Sequence, residues 1–356
     1  MLNWLLLLAP VTIALEFLAP AAHTLIFFVA SLAIVPLAGW LGRATEQLAR
    51  RTGAGLGGLL NATFGNAAEL ILAVVALRQG LTPVVKASLT GSILGNILLV
   101  LGAAILAGGV RHKHQRFNQT AAREQATLLL IAAIGFIVPA AFHFLASPRA
   151  RLHEADLSFQ ISFVLLASYA AHLLFSLGTH KQLFAGKEAA DLDEPVWSAA
   201  KSLLALAGAA VLIAWLSEIL VGSVQQAAQA LGMTRVFLGV IVLAVVGNAA
   251  EHSTAVMMAL KNRMELALGI AIGSSLQIAL FVAPALVIAS RFTGLPRLDL
   301  VFTPAEVLAV FVAVLITTQI ASDGESNWLE GAQLLAVYLI LALVFYFLPE
   351  AAEPAR

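Results

Sequence analysis

Two glutamates, Glu69 and Glu251, stand inside otherwise apolar segments, and each follows the same four residues: Gly65-Asn66-Ala67-Ala68 and Gly247-Asn248-Ala249-Ala250. A carboxylate surrounded by hydrocarbon costs several kcal/mol unless it is protonated or partnered, so such an acid points to binding or proton handling. Two facing carboxylates suit a hard divalent cation, because Ca2+ takes about six to eight oxygens and cancels both charges at once. Two protons cancel the same charges. Protons and the dication therefore compete for one set of oxygens, and exchange follows from that competition.

Neutral oxygens accompany the acids. The next apolar segment of each half carries Ser92 with Asn96 and Ser274 with Gln277, each pair about one helical turn apart and so on one face. Asn66 and Asn248 offer amide oxygens. Gly65 and Gly247 permit close backbone approach or local unwinding, which would expose carbonyls to a cation; the alternative is tight helix packing through small residues, which also suits the intervening alanines. His252 has no counterpart in the first half, where Leu70 stands. It suits proton handling or the tuning of Glu251, with a neutral core histidine as the alternative. Glu218 is the candidate gate or proton-access group, Glu16 and Glu306, also nearer span ends, are expected to reach interfaces or pair locally, and His143 and His172 read as structural.

The elements that must position these groups are membrane helices. The chain of 356 residues is 60% hydrophobic and 11% charged, with a mean hydropathy of +0.93, too apolar for a water-soluble domain. Eleven stretches reach the ~20 residues needed to span a bilayer: about 2–18, 23–42, 56–78, 84–109, 126–146, 157–178, 199–220, 235–260, 264–290, 302–321 and 328–348. With eleven spans the Lys and Arg residues divide 12 to 8 in favour of the N-terminal side, which predicts a cytoplasmic N-terminus. The N-terminus reads as a first span rather than a removable signal, and a prokaryotic plasma (inner) membrane is the expected location. Zero net charge, without a basic surface of interleaved aromatics, excludes nucleic acid as a partner. Without cysteine there are no disulfides or thiolate sites, so a metal must be held by oxygen or nitrogen.

The paired pentapeptides lie 182 residues apart, and further identities hold that offset: Ala73 and Val74 with Ala255 and Val256, then Gly91, Ser92 and Leu94 with Gly273, Ser274 and Leu276. The chain therefore divides into an additional helix (1–22), a first repeat (23–178), a short acidic linker (179–198, with Glu188, Asp191, Asp193 and Glu194) and a second repeat (199–356). Five spans per repeat place the halves in opposite orientations, the inverted-repeat architecture of many secondary transporters, with the site at the midplane where the motifs meet.

These residues resemble the calcium/proton exchangers (CAX) of the calcium/cation antiporter superfamily. The resemblance rests on the paired motifs and on LLNATFGNAAELI (59–71), VVKASLTGSILGNILLVLG (84–102), LSEILVGS (216–223), VVGNAAEH (245–252), IGSSLQIALFVAP (272–284) and DGESNWLEGAQLLAVYL (323–339). It implies an all-α polytopic fold of eleven helices and alternating access produced by two long helices, here spans 2 and 7, moving against the motif-bearing core. It also implies that Glu69 and Glu251 bind the metal cation, with the asparagines and Gln277 nearby and His252 in the pocket. The transported ions would be Ca2+ and H+, with no cofactor, a lipid bilayer as surroundings, and a homo-oligomer compatible with such a chain. The family's acidic segment is reduced here to the 188–194 run. The rival readings are a Na+-coupled or other divalent cation exchanger of the same superfamily, the Na+-coupled form needing further monovalent sites, and a passive cation channel, which would not need transport coupled to pH. An intramembrane metalloenzyme is disfavoured, since no HExxH or comparable cluster is present.

Overall fold

A computed structural model describes residues 3–184 and 196–348, apart from the side chains of residues 53–55 and Ala250. Glu188, Asp191, Asp193 and Glu194, the acids of the expected linker, lie outside the described residues.

Helices account for nearly all of the described chain. Eight are long and apolar enough to cross a bilayer: α2 (His23–Thr52), α3 (Leu56–Arg78), α4 (Thr82–Arg111), α5 (Gln119–Leu145), α6 (Ala150–Thr179), α7 (Ala199–Leu231), α9 (Met264–Phe292) and α11 (Trp328–Phe347). A bent pair forms α8, with halves Arg235–Gly247 and Glu251–Leu260 inclined at 60°. Two shorter apolar helices, α1 (Asn3–Leu18) and α10 (Pro304–Ile320), complete the set. These elements are compatible with the eleven expected stretches, of which eight, or nine with the bent pair, reach spanning length among the described residues, and the multi-pass membrane character follows from the number of long apolar helices. Two of them run well past the expected limits. At 1.5 Å per residue α2 and α7 reach ~45–50 Å, longer than the ~30 Å hydrocarbon layer, and they make the most extensive helix–helix contact in the bundle.

One helical run covers His23–Phe64, yet it is not one rod. A β carbon on Gly57 would collide with the backbone oxygen of Ala49, eight residues earlier and ~12 Å away along a straight helix. The chain therefore turns back between these residues, where glycines remove the side chains that would obstruct the reversal. The only strands among the described residues are two-residue pieces, Gln115–Arg116 and Glu325–Ser326, paired antiparallel. They tie the α4–α5 connection to the α10–α11 connection, and Arg123 adds two bonds to the Ser322 carbonyl (3.0 and 2.7 Å).

Helices α4 and α9, which hold the second polar set of each half, are the most buried spans. Each contains one widened π-type turn, Gly95–Val100 in α4 and Ile278–Val282 in α9, nearly at the 182-residue offset, the first containing Asn96 and the second directly following Gln277. Such turns in membrane and soluble helices often accompany functional positions. Around this centre small residues bring backbones together. Gly331 lets α11 lie directly on the Leu106 backbone of α4, and Gly102 meets the Gly331 carbonyl from the other side. In a bilayer this close packing, rather than water exclusion, holds helices together. Gly331→Leu is expected to lower the detergent melting temperature by several degrees, as overpacking costs about 1–3 kcal/mol. Gly208→Ala, whose β carbon would meet open space, is expected to leave it unchanged.

Candidate cation site

Both motifs interrupt their helices at the asparagine. Asn66 (φ −104°, ψ 30°) separates the two halves of α3, and Asn248 (φ −96°, ψ 7°) separates those of α8. These values lie in the sparsely occupied bridge region, which an asparagine tolerates because its side chain bonds nearby backbone. The Asn248 amide does so, donating to the Ala244 carbonyl at 2.9 Å. Each break starts a new helix with the glutamate in its first turn. Local unwinding and close packing, left as alternatives by the sequence, both occur: a β carbon on Gly65 would stand 3.1 Å from Gln277 Oε1, and one on Gly247 would stand 3.6 Å from Glu69 Oε1.

The asparagines cross-link the halves reciprocally. Ser274 of α9 donates to Asn66 Oδ1 of α3 (2.9 Å), and Asn248 of α8 donates to Ser92 of α4 (3.1 Å). Each bond is the 182-residue counterpart of the other. Asn96 extends the network by donating to Ser274 (2.9 Å) and, more weakly, to Asn248 Oδ1 (3.5 Å), while Asn66 donates to Gln277 Oε1. Ser275 donates to the carbonyl of its own counterpart Ile93 (3.4 Å), so α4 and α9 cross where the pseudo-twofold axis passes.

Glu69 and Glu251 meet at the inner end of a single cavity of about 1280 Å3. They are close enough for their charges to repel. Gly65, Gly247, Ser274 and Gln277 line the same floor. Asn66, Asn96 and Asn248 lie beneath it at 2%, 0% and 1% exposure, and they are not among the lining residues. Two oxygens in this region, Glu251 Oε2 and Asn96 Oδ1, are buried without a hydrogen-bond partner. Free acceptors of this kind are what a hard cation uses, and buried polar atoms are otherwise nearly always paired. Among the described residues no three His, Cys, Asp or Glu side chains gather at one place. The acidic charge at the floor is therefore that of two carboxylates, and neutral oxygens must fill the rest of a dication's shell.

The cavity reaches the face where α4 ends and α5 begins. Its wall includes Arg43, Glu46 and Arg50 from the end of α2, Asn118 and Gln125 from the start of α5, and Glu265 from the start of α9. His172 and Tyr169 of α6 also line it, although the sequence offered only a structural role for His172. The signal missed was long-range, because nothing local marks α6 as a cavity wall. His252 does not line the cavity, and its Nε2 is buried without a hydrogen-bond partner. Glu218 also stands away from the cavity. It is exposed and 3.9 Å from Arg78, toward the opposite face. Glu306 pairs locally as expected, accepting from the backbone (2.9 Å) and hydroxyl (2.7 Å) of Thr303 in a capping box. His143 contacts Glu154 at 3.0 Å.

The model of the sodium/calcium exchanger protein family matches the chain twice, over residues 22–178 and 201–347. The Ca(2+)/H(+) antiporter of Synechocystis sp. is 45% identical over 361 residues, covering 97% of this chain and 96% of that protein. The Ca(2+)/H(+) antiporter ChaA of Bacillus subtilis is 46% identical over 329 residues, covering 91% and 92%. Among solved structures, native YfkE superposes with a TM-score of 0.81 at 41% identity, over 97% of this chain and all of that one.

The reciprocal bonds make a specific energetic prediction. In a double-mutant cycle on detergent-solubilised protein, Asn66→Ala and Ser274→Ala are expected to couple by about 1 kcal/mol. The Asn248→Ala and Ser92→Ala cycle is expected to give a similar value, and Asn66→Ala with Ser92→Ala none.

Proposed function

The chain belongs to the sodium/calcium exchanger protein family, and we propose that within it this protein is a Ca2+/H+ antiporter whose exchange site is the Glu69–Glu251 pair. The observation that carries this reading is the convergence of two buried, motif-borne carboxylates on one cavity, in a chain nearly half identical along its length to antiporters of that name. It is a transporter rather than an enzyme. Its exchanged ions are Ca2+ and H+, and no cofactor takes part. Its site works in a multi-pass membrane protein, with the prokaryotic plasma membrane as its location and the N-terminus in the cytoplasm. On that topology the α4–α5 face, and with it the cavity mouth, is cytoplasmic.

With the cavity open, the glutamates lose protons and accept Ca2+, Ser274 and Gln277 adding neutral oxygens at the floor. The asparagines beneath hold the broken helices in register and supply the free Asn96 oxygen. A site holding two protons or one Ca2+ is neutral and free to change its access, whereas a bare pair of buried anions is not, which prevents leak. Two protons falling through one pH unit each supply about 1.36 kcal/mol, enough to sustain roughly a 100-fold Ca2+ gradient.

The division into repeats 23–178 and 199–356, with 1–22 as an additional helix, is supported by the double match to one family model and by the reciprocal bonds. It also predicts how the mouth closes. On the opposite face α8 is packed onto α4: Gly91 lies against the Val240 backbone, and a β carbon on Gly239 would stand 2.6 Å from that of Ala87. The counterparts of these four residues are Gly273, Gly58, Gly57 and Gly269. Gly269 and Gly273 now have no atom of another element within 4 Å of a β carbon, and both line the cavity. Exchange of the two repeats' conformations brings Gly57 and Gly58 onto Gly269 and Gly273, closing the mouth as the other face opens.

Two experiments test this. In proteoliposomes without Na+, Ca2+ uptake driven by an imposed pH gradient is expected in the parent and absent in Glu69→Gln and Glu251→Gln. Uptake that ignores the gradient, or survives both substitutions, overturns the mechanism. In this cysteine-free chain, the pair Gly58→Cys/Gly273→Cys is expected to cross-link during turnover, stopping transport until it is reduced. A pair that cross-links under no ionic condition rules out the proposed closure.

A further inference from the structure

Four carboxylates line the cavity: Glu69 and Glu251 at its floor, and Glu46 and Glu265 near its mouth. Glu46 is neutralised by Arg50 at 2.8 Å. Glu265 has neither a hydrogen bond nor an ion pair among the described residues, and it is partly buried in the wall. It begins a stripe along α9, Glu265–Gly269–Gly273–Gln277, with successive members four positions apart, so all four lie on one face. All four line the cavity. The two glycines leave that face bare, since β carbons there would enter open space. The stripe is thus an unobstructed track of ~18 Å from a free carboxylate at the mouth to an amide at the site.

The counterpart stripe in α4, Pro83–Ala87–Gly91–Gly95, has no acid, and α8 covers it at Ala87 and Gly91. The two access paths are therefore chemically unequal: the acid belongs only to the path on the α4–α5 face. Resting on the antiport reading above, we propose that Glu265 captures divalent cations at the cavity mouth and passes them along the glycine face of α9 to the Glu69–Glu251 site, giving that face the higher apparent Ca2+ affinity. Glu265 positions and concentrates the cation and takes no part in the proton exchange. A carboxylate ~10 Å from a dication in water raises its local concentration about four-fold at low salt, and salt at high concentration screens this away.

The alternative role for Glu265 is structural, an acid in the first turn of α9 favoured by the helix dipole. Sided kinetics separate the two. In proteoliposomes of defined orientation, the apparent KM for Ca2+ is measured with Ca2+ presented at either face, for the parent, Glu265→Gln and Glu265→Asp. The expected result for Glu265→Gln is a KM raised about four-fold from the α4–α5 face alone, an unchanged maximal rate and an unchanged melting temperature. The increase is expected to disappear in 1 M choline chloride, and Glu265→Asp is expected to behave as the parent. An unchanged KM, an equal change from both faces, or a fall in maximal rate together with melting temperature overturns the capture role. A parent that moves no Ca2+ against a pH gradient instead overturns the antiport reading itself.

Discussion

Two negative charges placed close together in a low-dielectric interior repel each other, and neither is stable bare. In this protein Glu69 and Glu251 meet at the floor of one cavity, and each of the surrounding features can be traced to that meeting. The helix breaks at Asn66 and Asn248 put each acid in the first turn of a new helix, where the local dipole favours negative charge. The small residues before each acid let the other half approach. The cavity gives protons and cations a route to oxygens that could not be reached through lipid. In the proposed exchange, a site that is neutral only when loaded couples the two ions without any further device.

The polar side chains around the acids are divided by depth. Ser274 and Gln277 face the cavity, whereas Asn66, Asn96 and Asn248 are sealed beneath it and bonded across the pseudo-twofold axis. Buried amides paired on both sides fix the crossing of α3, α4, α8 and α9 without contributing net charge, and low dielectric strengthens those bonds. The bonded crossing can thus remain rigid while the half-helices ahead of Asn66 and Asn248, with the bundle around them, change access. The pairing of α2 and α7 as the most extensive contact of the fold is consistent with their moving as a unit against this core.

Symmetry is retained in the core and broken at its edges. The same stripe of positions is open on α9 and covered on α4, which is what distinguishes one access state from its mirror image in a duplicated fold. The close glycine packing at the covered stripe shows why these positions stay small: a side chain on either element would hold the helices apart. The edges also carry the chemical differences between the repeats, among them Glu265 against Pro83 and His252 against Leu70.

Much of this was legible before any fold was known. The paired Gly-Asn-Ala-Ala-Glu motifs, their offset and the apolar spans follow from local residue order, because a buried acid and a bilayer-length helix each impose constraints that a one-dimensional pattern can register. The local pairing of Glu306 was legible for the same reason. Hidden from the sequence were the depth of the asparagines, the exclusion of His252 and Glu218 from the cavity, and the presence of His172 and Glu265 in its wall. Those depend on which helix faces which, and hydropathy does not distinguish a face turned to lipid from one turned to a neighbouring helix. By itself the sequence determined the chemistry and its duplication. Only the tertiary structure decided which face is open, because the two access states of an inverted repeat share the same residues and differ only in packing.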